Sequence, residues 1–214
     1  MICLAVNTAN MILSVALVSD GKVLHSYETT ETRDQGNLLL RHVQQALDAN
    51  GMTYANIDLL AVVTGPGSFT GIRIGLAAMR ALALATGKPV TGLSSFEIFA
   101  MPAANTTNII AVESWREELY FSVQDSAGKE VIPDVNETPQ DFARRIAAIA
   151  GPYVVTGDAA EKLREFLPDA TFETAAIAPA HVADLAARKQ KSGAALTPPV
   201  PYYLREADVS FPKK

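Results

Sequence analysis

The stretch Thr64-Gly65-Pro66-Gly67-Ser68-Phe69-Thr70-Gly71-Ile72-Arg73 constrains the fold more than any other. It holds three glycines and one proline, and no charge before Arg73. Residues 57–63 ahead of it are mostly branched and apolar, which predicts a buried strand. Residues 74–86 behind it are rich in Ala and Leu, which predicts a helix. Strand, glycine turn and helix is an α/β layout that gathers backbone N–H groups at a helix N-terminus. Such an end attracts phosphate or carboxylate. The same layout also makes a rigid loop that a partner protein can read, and the loop alone does not choose between the two.

The chain ahead of this loop reads as a three-stranded antiparallel meander. Residues 2–6, 12–19 and 22–29 are strands, with a polar turn at 7–10 and a hairpin at Asp20-Gly21. After a polar connection at 30–36, residues 37–50 follow helical spacing. Leu39, Leu40, Val43, Ala46 and Leu47 share the apolar face, Leu38 falls on the polar side, and Gly51 ends the helix. In the helix at 74–86, Arg80 is the only charge. A stripe of mostly small residues (Gly71, Gly75, Ala78, Leu82, Ala85) predicts close approach of a second helix, of this chain or of a partner. Leu76, Met79 and Ala83 form a second apolar face. A short strand at 90–93 leads to a helix capped by Ser94 with Glu97 closing a capping box, ending near Met101-Pro102.

Small polar residues at 103–108 mark the boundary between two parts, 1–103 and 104–214. The second part restarts with strands at 108–114, 118–125 and 129–135. A helix follows with Thr138 as N-cap and Pro139 at its first position. A strand at 153–156 ends in Gly157-Asp158. Helices at 160–166 and 180–191 come next, then a proline-rich extended tail at 196–203. The two parts repeat one order of elements, which predicts a duplicated architecture.

With 214 residues, 49% apolar, the chain has ample core for a globular fold. A net charge of −5 with few basic clusters, chiefly 188–191 and Lys213-Lys214, disfavours unaided nucleic-acid binding. One cysteine, Cys3, and no signal-peptide pattern suggest a cytoplasmic protein, and no apolar run looks long enough to span a membrane. His25, His42 and His181 lie far apart, so no metal-ligand spacing exists. A Walker loop is excluded, and the glycine loop is not a Gly-x-Ser-x-Gly elbow. Three polar or glycine turns, at 7–10, 65–71 and 157–158, would suit a nucleotide if they faced one cleft. Phosphotransfer also needs carboxylates, and Asp158 is the only acid at these turns.

Gly65 to Arg73 resembles the hallmark loop of the TsaB (YeaZ) family of bacterial tRNA threonylcarbamoyladenosine biosynthesis proteins. Leu4-Ala5-Val6-Asn7-Thr8-Ala9 with Ser14-Val15-Ala16-Leu17 resembles its first hairpin, residues 112–120 its second strand pair, and Tyr203-Leu204-Arg205 its C-terminal signature. The resemblance implies an actin/sugar-kinase/Hsp70-like (ASKHA) duplicated α/β fold, two subdomains with mixed sheets flanked by helices. It implies a non-catalytic subunit that binds the transferase TsaD, joined by the ATPase TsaE. The chain would form a homodimer when alone and meet tRNA only through the complex. It would need no cofactor of its own, with ATP or ADP at the complex interface. The implied partner and dimer surface is Leu38, Leu39, His42, Gly65 to Gly71, Arg73, Gly75, Ala78, Met79 and Leu82. A residual nucleotide site would use Asn7, Thr8, Gly157 and Asp158. The sequence departs from the family pattern at Asn7, where Asp is usual, at Gln35, where His is usual, and at Glu113-Ser114-Trp115-Arg116, where Asp-Ala-Arg is usual. The alternative is an ATP-dependent phosphotransferase or ATPase of the same fold.

Overall fold

Central strands buried on both faces need continuous apolar runs, and two such runs, Cys3 to Val6 and Leu59 to Val63, form the middle of the first sheet. The computed structural model describes residues 1–31, 34–101, 103–173 and 178–205. Part of the polar connection at 30–36, Pro102 and the Lys213-Lys214 pair lie outside the described residues. The first sheet contains β1 (Ile2–Asn7), β2 (Leu13–Ser19), β3 (Lys22–Thr29), β4 (Leu59–Gly65) and β5 (Val90–Ser94), in the order β3-β2-β1-β4-β5. The second contains β6 (Thr107–Val112), β7 (Leu119–Gln124), β8 (Glu130–Glu137), β9 (Tyr153–Thr156) and β10 (Thr171–Glu173), in the order β10-β9-β6-β7-β8. Each has an antiparallel meander extended by parallel strands. The two orders match strand for strand, so the duplication expected from the sequence is present. The three-residue β10 escaped sequence reading because it is too short to show periodicity.

The helices are α1 (Gln35–Asp48), α2 (Phe69–Thr86), α3 (Ser95–Phe99), α4 (Pro139–Ile146) and α5 (Pro179–Lys191). In α1, Leu39, Val43, Ala46 and Leu47 are buried. Leu40, expected inside, is 48% exposed, while Leu38, expected on the polar side, packs against the core. The inward arc of α1 turns this way because the helix packs on β2, β3 and α2 together. The capping residues of α3 and α4 are those the sequence indicated. Ser94 and Glu97 form a capping box, and the Thr138 hydroxyl accepts from the N–H of Asp141.

Helix α2 starts five residues before the expected Ile74, because Ser68 caps it by accepting from the N–H of Gly71 at 3.2 Å. Half of the glycine loop is therefore the first turn of the helix. At 18 residues with mean hydropathy 1.3, α2 is long and apolar enough by composition to cross a membrane, contrary to expectation. Its inner residues Ile72, Leu76 and Met79 belong to the packed core of the first sheet.

A division at 103/104 separates the strands of the two sheets but not the helices. α5 returns to the first sheet and puts Val182, Ala183, Ala186 and Ala187 into its core. Lys191 pairs with Asp20 at 2.8 Å and Lys189 with Glu97. The smaller second core is built around Phe121 stacked on Phe142, 3.8 Å between ring centres.

The extended tail also ties the halves together. Gly92 N–H donates to the Thr197 carbonyl at 2.8 Å, and Tyr202 N–H to the Thr64 carbonyl at 2.9 Å. The Tyr202 ring lies edge-on to Phe96, and its hydroxyl donates to Asp134 on β8 at 2.5 Å. Burial, then the bond to Asp134, raises the pKa of Tyr202 above its ordinary value of 10.0. A raised acid pKa means the folded state holds its proton longer than the unfolded state. The stability it contributes is therefore complete below pH 10.0 and falls as pH rises beyond it. Tyr202→Phe should cost about 1–2 kcal/mol at neutral pH. It should also flatten the decline in urea midpoint between neutral pH and pH above 10.0. An unchanged alkaline slope would show that the clasp is not formed in solution.

Candidate functional site

The β1–β2 turn meets both the glycine loop and the turn after β9, and locks onto each. Ser68 N–H donates to the Ala9 carbonyl at 2.7 Å, and the Thr8 hydroxyl donates to the Gly71 carbonyl at 2.7 Å. The contact is so close that a Cβ on Gly71 would stand 1.9 Å from the Thr8 carbonyl oxygen. One on Gly67 would stand 2.3 Å from that of Ala9. On the other side, Asn10 donates to Asp158 at 3.1 Å, and Asp158 also accepts from Glu113 N–H at 2.8 Å. A Cβ on Gly157 would stand 2.0 Å from the Ala111 carbonyl oxygen.

Asn7 and Thr8, expected to touch a nucleotide, are 1% and 0% exposed. Asn7 accepts from Ala9 N–H at 2.9 Å and donates to Asn10 at 3.2 Å. Its amide therefore shapes its own turn. Gly157 is buried too, so of the four expected nucleotide residues Asp158 alone is exposed. Although solvent reaches it, desolvation by the surrounding chain is the largest influence on Asp158 and raises its pKa to about 6, against the pull of its hydrogen bonds. The nearby acid, Glu113, is occupied as well. It accepts from the N–H groups of Ser114 and Trp115 at 3.0 and 2.8 Å and pairs with Lys162 at 2.5 Å. Composition and spacing did not mark Glu113 for this organising role.

The expected partner surface divides in two. Leu39 and Met79 are 0% exposed, and Gly75 is buried with its Cα facing Thr8, whose hydroxyl would lie 2.6 Å from an added Cβ. These three are corrected from surface to interior. At Gly71 and Gly75 the small-residue stripe permits a close approach of the β1–β2 turn, whereas Ala78 and Leu82 are half-buried and Ala85 is exposed. Gly65, Pro66 and Gly71 are buried as well. Gly67, Ser68 and Phe69 are half-buried, and Thr70 and Arg73 are exposed. Leu38, His42, Ala78 and Leu82 are half-buried, with the His42 ring stacked on Tyr27 at 3.4 Å. Desolvation lowers the pKa of His42 below its ordinary value.

The outward stripe of α2 is Ala77, Ala81, Leu84 and Ala85, shared with Arg73 and Arg80, all exposed. Leu84 is 88% exposed, and only 28% of the helix is buried. Sequence reading missed this stripe, because an all-round apolar helix does not reveal which face its own sheet takes.

The family sequence model described as "TsaD: tRNA N6-adenosine threonylcarbamoyltransferase" matches residues 29–210. The tRNA threonylcarbamoyladenosine biosynthesis protein TsaB of Escherichia coli K12 is 35% identical over 163 residues, 72% of this chain and 70% of the relative. The chain belongs to the TsaB (YeaZ) family. The TsaB protein of Bacillus subtilis 168 is 26% identical across 97% of this chain and 96% of its own. The YeaZ structure from Pseudomonas aeruginosa has a TM-score of 0.75 at 22% identity, covering 95% of this chain and 99% of that one. A more distant likeness in fold alone is the activator of 2-hydroxyisocaproyl-CoA dehydratase from Clostridium difficile, with a TM-score of 0.52 at 9% identity, over 90% and 98% of the chains. With the duplicated sheet order, these place TsaB-family chains such as this one in the ASKHA fold.

Proposed function

We propose that the chain is a non-catalytic subunit in the synthesis of threonylcarbamoyladenosine beside the tRNA anticodon, and that it acts in the cytoplasm by binding TsaD, with TsaE joining the pair. One observation carries this reading: the uncovered outer face of α2, where Ala77, Ala81, Leu84 and Ala85 are exposed, with Leu40 exposed on the neighbouring α1. A contiguous apolar face of this kind marks a protein–protein contact. The match of the TsaD family model to residues 29–210 supports a related chain of the same fold as the partner. The same face would make a homodimer when TsaD is absent. A second support is the cleft, where the turns that could hold phosphate are packed on one another and the acids Glu113 and Asp158 accept internal hydrogen bonds. Any ATP or ADP would then sit between the chain and TsaD.

Reconstitution tests this directly. TsaD, TsaE, threonylcarbamoyl-adenylate and tRNA should yield modified adenosine in the presence of the chain and little in its absence. The isolated chain should show no turnover with ATP and magnesium. Turnover by the chain alone would instead establish the phosphotransferase or ATPase reading.

A further inference from the structure

A cleft of about 270 Å³ lies at the head of α2, walled by Phe69, Trp115, Tyr120, Tyr202 and Tyr203 from distant parts of the chain. It shares Gly67 and Ser68 with the interlocked turns. Its serine hydroxyls are engaged within the chain: that of Ser68 caps α2, and that of Ser114 donates to the Glu118 carbonyl. Among the described residues no aspartate or glutamate lines it, so a cationic guest finds no counter-charge there. Ring surface dominates what the cleft offers. An apolar cavity of about 150 Å³ already holds one benzene ring, and pockets for whole small molecules begin at roughly 300 Å³. The cleft therefore has the size for one aromatic side chain.

The cleft is continuous with the outer face of α2. Thr70 lines it and is exposed, and Arg73, Ala77, Ala81 and Leu84 follow at three- and four-residue steps on the same side of the helix, all exposed. This line runs for about 21 Å at 1.5 Å per residue. Arg73 joins its two parts. Its guanidinium lies 3.7 Å from the Phe69 ring centre and donates to the Tyr203 hydroxyl at 3.2 Å. The area a stable complex needs calls for both parts. A specific interface takes about 800 Å² and about 20–30 residues from each partner, and its energy is concentrated in a few Trp, Tyr and Arg side chains. The apolar stripe of α2 supplies three alanines and one leucine, which is too little surface. Trp115, 45% exposed, and Tyr203, 38% exposed, supply large rings at the end of the same line.

We propose that the partner covering α2 also seats one aromatic side chain in this cleft, between Trp115 and the Phe69–Tyr203 wall. The inference rests on the reading that TsaD covers α2. It adds a second anchor, at the opposite end of the helix from Leu84.

Trp115 is the only tryptophan in the chain, so labelling with 5-fluorotryptophan gives the full-length protein a single fluorine resonance. Unlabelled full-length TsaD should move that resonance saturably and reduce its shift between H2O and D2O. Trp115→Gly removes the ring but keeps the N–H that Glu113 accepts, and glycine adopts a φ of 57° without strain, so the turn should hold. By calorimetry its affinity for TsaD should fall about tenfold or more, and Trp115→Phe, which keeps a ring, should lose less than about threefold. Circular dichroism confirms that each variant is folded. Binding lost in Leu84→Asp but unchanged in folded Trp115→Gly, or a resonance that TsaD does not move, overturns the proposal and leaves the TsaD reading standing. Binding unchanged in both variants overturns the proposal and the α2 surface together. A resonance that follows the concentration of the chain alone and ignores TsaD assigns the cleft to a second copy of the chain, and that too overturns the proposal.

Discussion

Gly71→Ala should lower the stability of the chain by at least about 3 kcal/mol, although alanine is the better helix former by about 1 kcal/mol. The added methyl would lie 1.9 Å from the carbonyl oxygen and 2.9 Å from the carbonyl carbon of Thr8. Both are backbone atoms, so no rotamer change relieves the clash. α2 or the β1–β2 turn must move. Either movement breaks the bond from the Thr8 hydroxyl to the Gly71 carbonyl, and Thr8 is 0% exposed, so water cannot replace it. The loss adds to the overpacking cost. Gly36→Ala in α1 is the control, since nothing lies within 4 Å of its added Cβ. That variant should be neutral or gain up to about 1 kcal/mol. In urea the Gly71 variant should unfold about 1 M or more below the parent, and the Gly36 variant at or above it. Equal behaviour of the two would mean the glycine loop does not interlock with the β1–β2 turn.

The difference between these glycines also shows what was legible in the sequence. The two meanders, the duplication, the Ser94 and Thr138 caps and the central loop follow from periodicity and turn chemistry, which are local. The direction a residue faces is not local. Gly71 and Gly75 read as room for another helix, and the occupant of that room is Thr8, 63 residues away from Gly71. Leu38 and Leu40 differ in exposure because α2 packs beside α1, which the spacing of α1 alone cannot show. α5 follows the second sheet in sequence and packs on the first. At the candidate site, the three turns were found by their residue types. Their mutual hydrogen bonding was not, because a polar turn that binds a ligand and one that binds its neighbour have the same composition.

Leu84→Asp should abolish partner binding and leave the fold intact. Leu84 is 88% exposed, so the substitution removes almost no buried area and should change stability by no more than about 0.5 kcal/mol. In a complex that covers α2, the carboxylate would be desolvated with no assured partner. Arg80, one turn before it, is the nearest cation in α2 and is exposed, so salt and water screen it. Burying an unpaired charge at an interface costs several kcal/mol, so affinity for TsaD should fall about 100-fold or more. Self-association in sedimentation should weaken with it if the homodimer uses the same stripe. Gly75→Leu is the wrong probe for this surface. Its side chain would meet Thr8 and Val62, and the fold would fail before binding could be read. Met79→Ala completes the comparison. That residue is 0% exposed, and its truncation should cost about 2–5 kcal/mol of stability. If the variant retains its fold, its affinity for TsaD should be near that of the parent. Stability lost at Met79 and binding lost at Leu84 would assign the two faces of one helix to two tasks. Unchanged TsaD affinity in folded Leu84→Asp would remove α2 from the partner surface.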